Sequence, residues 1–374
     1  MPLDAAVGRF RPPSATATDI GGGISPPANL HNSVSSHPNM RTKKTPPRDA
    51  ANRYLTEKKP SVTEKTLYNY TTTLEQFCDW LVDERNINDL RRLDSDMIQK
   101  YKEFRLRRVA TITARNDMVT IRGFVRFCET IQAVPRGLSE MIIIPTTKAA
   151  DEICDDLVTR EESKAILEHL QKFEYASDRH VIFLILWKTG MRLSGLLALD
   201  VGDFDAERPA LEIRHRPTTG TPLKQKSNGE RDVLISLDTA EIISDFIESQ
   251  RPDVLDEHGR EPLLSTRHGR RARTTIQRMV YTATRPCHYE NACPFDEDPE
   301  TCEANTWDGA SKCPGSVSPH ALRRGYVTAA RNAGQPKDVT GERVNMSGKV
   351  LDKHYDKGNH SEKAERRREY LSDV

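Results

Sequence analysis

The longest apolar run in the chain, VIFLILW at residues 181–187, sets the strongest limit on what it can fold into. Seven residues fall far short of the roughly 20 needed to cross a bilayer, so the run must be buried in protein. It continues as VIFLILWKTG, where Gly190 ends a helix in the left-handed conformation that glycine adopts without strain. A helix that is apolar all round is a core helix, covered by other elements.

Helical patterns surround it. Thr159, with Glu162 three residues on, caps a helix over 159–173, and further helices fit 238–249, 274–283 and the stretch from His320 onward. After MRLSGLLALD the period changes. LEIRHR and RDVLISL alternate with period two around a long polar loop, which reads as a β-hairpin. Upstream, Ser61 and Glu64 in SVTEKT read as a capping box, and Leu67, Tyr70, Leu74, Phe77 and Leu81 follow in steps of three and four. A second helix fits 96–108. A third fits 113–131, with Met118, Ile121, Val125 and Cys128 as its apolar stripe.

The expectation is a mainly α chain with a small antiparallel β-sheet, in three parts: a disordered tail over 1–48, a helical unit over 49–147, and a second unit over 148–374. The tail is rich in Pro, Ser, Gly, Thr and Asn, and its basic end RTKKTPPR reads as a solvated linker, with DNA contact as the alternative. PTTKAADEICDD joins the two units, and no internal repeat is visible.

At 374 residues there is room for two domains. Charged residues make up 30% and the mean hydropathy is −0.66, as for a wet surface with no membrane partner. The N-terminus lacks an apolar signal-peptide core, so the expected location is cytoplasmic. A net charge of +1 says nothing about nucleic acid, so the local distribution carries that argument. Lys100, Lys102, Arg105, Arg107, Arg108, Arg115, Arg122 and Arg126 crowd one stretch, opposed only by Glu103 and Asp117. That flank suits DNA, though an ordinary charged helix surface has the same look.

Seven cysteines occur, and Cys78, Cys128 and Cys154, set among apolar neighbours, read as small core residues. Cys287, Cys293, Cys302 and Cys313 fall in one insert, with His288 as a spare ligand. In a cytoplasmic chain such a cluster points to metal, and four soft ligands suit tetrahedral zinc in a structural, non-catalytic role. The spacing is not the familiar paired C-x-x-C, and reduced cysteines in a flexible insert are the rival reading.

SPHALRRGY, residues 318–326, puts two cationic side chains at the positive end of a helix. Ser318 suits the N-cap, Pro319 the first helical position, and His320 and Arg323 then lie side by side. A basic pair there is unfavourable unless something negative binds, and a phosphate is the simplest candidate. Three more features fit a phosphate. Arg192 follows the break at Gly190, Lys226 lies in the hairpin loop five residues before Arg231 with Lys224 as its alternative, and Tyr355 sits in VLDKHYDKG.

The ordered set TGMRLSGLLALD, a hairpin lysine before ERDVLIS, HALRRG, and a tyrosine near the C-terminus resembles the tyrosine recombinase (phage integrase) family, and SVTEKTLYNY with the insert and VLDKHYD is similar to integrase-like proteins of haloarchaea. The helical unit before it looks like that family's core-binding, SAM-like domain. The resemblance implies that Arg192 and Arg323 clamp the scissile phosphate, that His320 assists proton transfer, and that Lys226 protonates the leaving 5′-oxygen. Tyr355 would be the nucleophile that forms a 3′-phosphotyrosine. It implies no cofactor for catalysis, duplex DNA gripped between two domains as a C-shaped clamp, and a tetramer on DNA, in the integration or excision of mobile DNA. Two departures stand out. Gly195 replaces the family's glutamate after Ser194, and Asn345 and Met346 stand where a His or Trp is usual, with Asn345 a substitute phosphate donor. A type IB topoisomerase and a catalytically silent DNA-binding regulator are the alternatives.

Overall fold

In the computed structural model, residues 42–148, 156–290, 292–298 and 300–371 are described. Cys154 and most of the tail lie outside them. The chain divides after Pro145 into two compact units.

The first unit is built from α1 (Pro47–Lys58), α2 (Glu64–Asp79), α3 (Ser95–Leu106) and α4 (Thr111–Thr130). Helix α1 starts inside the stretch assigned to the tail, because Pro47 fits the first helical turn and Ala50, Ala51 and Tyr54 are buried. Helix α2 is capped by Thr63, whose hydroxyl accepts from the Thr66 N–H, and not by Ser61. Ser61 closes a short 3-10 turn instead, and its hydroxyl is spent on the Lys58 carbonyl at 2.9 Å. The aromatic core is as the α2 stripe implies: Phe77 packs against Tyr101 at 4.8 Å between ring centres, and Tyr101 against Trp80 at 5.2 Å. Cys78 and Cys128 are buried in this core.

One member of the basic flank turns inward. The Arg105 guanidinium makes two 2.9 Å contacts to Asp117 Oδ2, while Thr73 donates to Asp117 Oδ1, so α2, α3 and α4 are tied at one carboxylate. Arg122 is also engaged, donating to the Ile142 carbonyl. Arg105 therefore serves the fold and is no free cation for DNA. Lys100, Arg107, Arg108 and Arg126 remain exposed, and Arg115 is half-buried.

In the second unit, α5 (Arg160–Phe173) opens with the capping box of Thr159 and Glu162, both hydrogen bonds present. Helix α6 (Asp178–Thr189) is the central helix, with every residue from His180 to Trp187 buried. It is packed by α5, α8 (Leu237–Ser249), α9 (Arg273–Ala283) and α11 (Pro319–Asn332). Gly190 ends it with φ +60°, and a Cβ there would meet the Tyr326 ring at 2.3 Å, so both backbone and packing require glycine. After the short α7 (Leu193–Ala198), strands β1 (Phe204–Asp205), β2 (Ala210–Ile213) and β3 (Arg231–Leu234) form an antiparallel sheet in the order β1-β2-β3. Leu211 pairs with Val233 and Ile213 with Arg231, so the expected hairpin gains a third strand. A two-stranded ribbon, β4 (Ser265–Thr266) with β5 (Gly269–Arg270), precedes α9. The insert begins with α10 (Pro286–Tyr289) and is otherwise turns and single 3-10 turns.

The chain ends with α12 (Lys337–Val344), α13 (Gly348–His354) and α14 (His360–Glu365). Arg366, just past α14, returns to Asp356 at 2.6 Å and to Asn332 at 2.7 Å, so this segment docks on its own chain. Among the described residues no helix is long and apolar enough to cross a membrane.

Candidate active site

Three elements bring the site together. The turn after α6 supplies Arg192, the first turns of α11 supply His320 and Arg323, and the C-terminal end of α13 supplies Tyr355. Ser318 holds the N-cap position and Pro319 the first turn, though the Ser318 side chain makes no capping hydrogen bond. Arg192, Arg273, Gln277, Ser318, His320 and Arg323 line one cavity of about 160 Å³.

Arg323 is 1% exposed. Its Nη1 donates to the Gly190 carbonyl at 2.7 Å, while Nε and Nη2 have no hydrogen-bond partner among the described residues. Its guanidinium carbon lies 5.3 Å from the centre of the Tyr355 ring. Arg192 Nη1 donates to the Asn345 carbonyl at 3.1 Å. Burial lowers the pKa of both arginines, and Arg192 lowers that of Arg323 further by like-charge repulsion. Arg231, noticed in the sequence only as a spacing mark, joins them. Burial first, then Arg192 and Arg343, pull it down to about 10. Its Nε donates to the Arg343 carbonyl and its Nη1 to the Gly229 carbonyl. No carboxylate pairs with Arg192, Arg231 or Arg323 among the described residues, so this is a concentration of positive charge awaiting an anion.

His320 Nε2 lies 2.6 Å from the Tyr355 hydroxyl. Burial by its neighbours, then the charges of Arg323, Arg324, Arg192 and Lys224, bring its pKa down to about 4. His320 is an exposed residue, so water moderates the burial and the cations matter correspondingly more. The imidazole is therefore neutral at pH 7 and can accept a proton. Tyr355 is 6% exposed and packs with Val327, Val344, Met346 and Leu351. Thr328 Oγ1 donates to its carbonyl at 3.0 Å, which pins the end of α13 to α11.

Other expected members stand differently. Lys226 occupies a 3-10 turn at the tip of the β2–β3 loop with φ +53°, and among the described residues its side chain makes no hydrogen bond or ion pair. Lys224 is the loop lysine whose charge reaches His320. Asn345 has φ +51° and its Nδ2 donates to the Asn228 carbonyl at 3.0 Å, so its amide ties the hairpin loop to α12 while its carbonyl holds Arg192. It is a bracket more than an open phosphate donor. At Gly195 an added Cβ would lie 3.7 Å from Met191 Sδ and 3.8 Å from Ile213.

Comparison with known proteins agrees with this geometry. Residues 156–345 match the phage integrase family, and residues 52–130 match the phage integrase N-terminal SAM-like domain. The chain belongs to the phage integrase family. The match to the phage integrase family stops at Asn345, short of Tyr355, whose hydroxyl contacts His320. Among curated relatives, a tyrosine recombinase XerC of Herpetosiphon aurantiacus is 26% identical over 219 residues, 58% of this chain and 66% of the relative. A tyrosine recombinase XerC of Roseiflexus sp. is 30% identical over 157 residues, 41% of this chain and 48% of the relative. The integrase thus spans about half to two thirds of the length of such relatives. Among solved structures, the Tn1549 transposon integrase in complex with transposon right end DNA matches with a TM-score of 0.59 at 14% identity, covering 88% of this chain and all of that one. A lambda integrase dimer bound to a core site matches with a TM-score of 0.56 at 11% identity, covering 87% and 78%. These two similarities concern the fold.

Proposed function

We propose that this integrase is a site-specific DNA recombinase that cleaves and rejoins duplex DNA through a 3′-phosphotyrosine. The observation that carries the reading is Arg323, a fully buried guanidinium whose Nε and Nη2 have no hydrogen-bond partner by geometry among the described residues, beside a tyrosine hydroxyl in contact with a neutral imidazole. A buried, unpaired arginine costs stability unless an anion completes it, and a phosphate oxygen has the right charge and size.

In the reaction Tyr355 attacks the scissile phosphorus and its proton passes to His320 Nε2. Arg192 and Arg323 hold the non-bridging oxygens as charge builds on them. The 5′-oxygen leaves with a proton from a loop lysine, Lys226 by its spacing to Arg231. The phosphodiester energy is kept in the tyrosyl link, so rejoining by a 5′-hydroxyl needs no ATP. The exposed cations of the helical unit, such as Lys100, Arg107, Arg108 and Arg126, supply phosphate contacts of the salt-sensitive kind. The Tn1549 and lambda integrase structures were both solved with DNA, which supports duplex DNA as the partner here. A tetramer on paired sites, action on mobile DNA and a cytoplasmic, nucleoid-associated location complete the proposal.

A covalent trap tests it. The protein is incubated in EDTA with nicked duplexes from its own replicon and neighbouring host DNA, then denatured in SDS. An adduct whose nucleotide-bearing peptide contains Tyr355, absent in Tyr355→Phe, is the expected result. Salt-sensitive DNA binding with no adduct on any duplex would overturn the enzyme reading in favour of a non-cleaving regulator.

A further inference from the structure

The insert between α9 and α11 has almost no core of its own. Its elements are one four-residue helix and two single 3-10 turns, and between α10 and α11 the buried apolar side chains are Ala304 and Ala310. Phe295 and Trp307 stay exposed. A segment this poor in buried area needs a staple.

Four cysteines supply the atoms for one. Cys287 in α10 and Cys293, Cys302 and Cys313 in the segments after it all have free thiols, and all four line a single cavity of about 280 Å³. The cavity also holds Arg285, which is 6% exposed. Its Nη1 reaches into the insert to the Asn305 side chain at 3.0 Å, while its buried Nε has no partner among the described residues. A thiolate sulfur is an acceptor for that donor. Four thiolates on a divalent cation leave a charge of −2, which the buried Arg285 guanidinium offsets in part, while the lining Lys312 is already paired with Glu303.

We propose that Cys287, Cys293, Cys302 and Cys313 bind one zinc ion as a closed, structural site, with Arg285 donating to a ligating sulfur. With zinc–sulfur bonds of about 2.3 Å the sulfurs stand about 3.8 Å apart. Among the described residues no three of these sulfurs lie within 4.8 Å of one another, so binding draws the segments together. The insert has no sheet ladder or long helix to resist that movement.

The rival cluster is His169, Glu174 and His288, whose ligand atoms lie within 4.8 Å of one another. The Arg179 guanidinium already occupies it, donating to Glu174 at 2.5 Å, and a cation there repels a metal. His288 points to Glu174 at 3.2 Å and does not line the cysteine cavity, so it is no spare ligand for the sulfurs. The role of the zinc site follows from where the insert is attached. Val317 N–H donates to Thr284 Oγ1 at 3.0 Å, which joins the two ends of the insert immediately before Ser318 and the helix that carries His320 and Arg323. Zinc clips the insert shut at the entry to that helix.

The full chain, purified with reductant and zinc and then freed of loose metal, is assayed by elemental analysis. About one zinc per chain is expected. Cobalt in its place should give the intense visible bands and sulfur charge transfer of a tetrahedral thiolate site. The Cys293→Ser/Cys302→Ser variant should lose the metal, while Cys78→Ala/Cys128→Ala and His169→Ala keep it. Arg285→Gln should weaken zinc affinity about 10-fold or more. Stripping zinc should open the chain to trypsin after the exposed Lys312. A zinc-free wild type, thiol titration showing disulfides among the four cysteines, or metal lost with His169→Ala but retained in the double cysteine variant would each overturn the proposal.

Discussion

The Tyr355 hydroxyl sits 2.6 Å from His320 Nε2, an acceptor held neutral by burial and the cations around it. His320→Ala removes that acceptor and should slow covalent adduct formation about 100-fold or more without weakening DNA binding. The sign of the pH effect follows from the folded pKa of about 4, below the ordinary 6.5. Between these values the unfolded chain binds a proton that the folded chain refuses. The contribution of His320 to stability is therefore complete above pH 6.5 and is lost as pH falls toward 4. Titrating the His320 ring by NMR in the DNA-free protein should give a midpoint below 6.5. A midpoint above pH 7 would remove the neutral base.

Arg323 should show a trade of stability for function. Arg323→Met replaces a buried guanidinium with two unpartnered donors by an apolar chain of similar length. Urea unfolding should show the variant more stable by about 1 kcal/mol or more, while adduct formation disappears. Arg323→Lys keeps the charge but loses the fork, and should still cost about 100-fold in rate. Loss of stability in Arg323→Met would mean that the side chain holds the fold through its bond to Gly190.

Asp117 and Arg126 lie on the same helix, yet their variants should behave oppositely. Asp117→Ala strands the half-buried Arg105 and breaks the link to Thr73, for a loss of about 3 kcal/mol in urea unfolding. Arg126→Ala, at an exposed position, should change stability by no more than about 0.5 kcal/mol. It should instead weaken DNA binding and reduce the dependence of log affinity on log salt by about one unit.

Gly195→Ala tests the departure beside Arg192. A Cβ there meets only Met191 and Ile213 at ordinary contact distances, and the residue lies inside α7. The variant should be more stable by about 0.5–1 kcal/mol with adduct formation unchanged, measured side by side by melting and by the covalent trap. A fall in activity with that gain in stability would show that Arg192 needs the freedom of this turn.

Much of this molecule was legible without coordinates. The capping box at Thr159 and Glu162, the end of α6 at Gly190, the aromatic stripe of α2 and the alternation of β2 and β3 all depend on neighbours a few residues apart, through local hydrogen bonds and periodicity. Even local rules fail where two similar groups compete. Ser61 and Thr63 are both capping residues, and Pro60 diverted the first into its own turn. The order of Arg192, His320, Arg323 and Tyr355 along the chain was likewise enough to point to phosphate chemistry.

Which cations face inward is a different kind of question. Arg105 looks like its basic neighbours until α3 and α4 pack and Asp117 meets it. Arg231 looks like any strand residue until the sheet brings it beside Arg192 and Arg343. The meeting of Gly190 with Arg323, and the use of Asn345 as a bracket between Arg192 and the hairpin loop, depend on contacts more than 100 residues apart. The sequence by itself determined the elements and the chemical types available, because those follow from local sterics, hydrogen bonding and periodicity. Only the tertiary structure decided which charges are paired and which are not, because pairing depends on packing between distant segments.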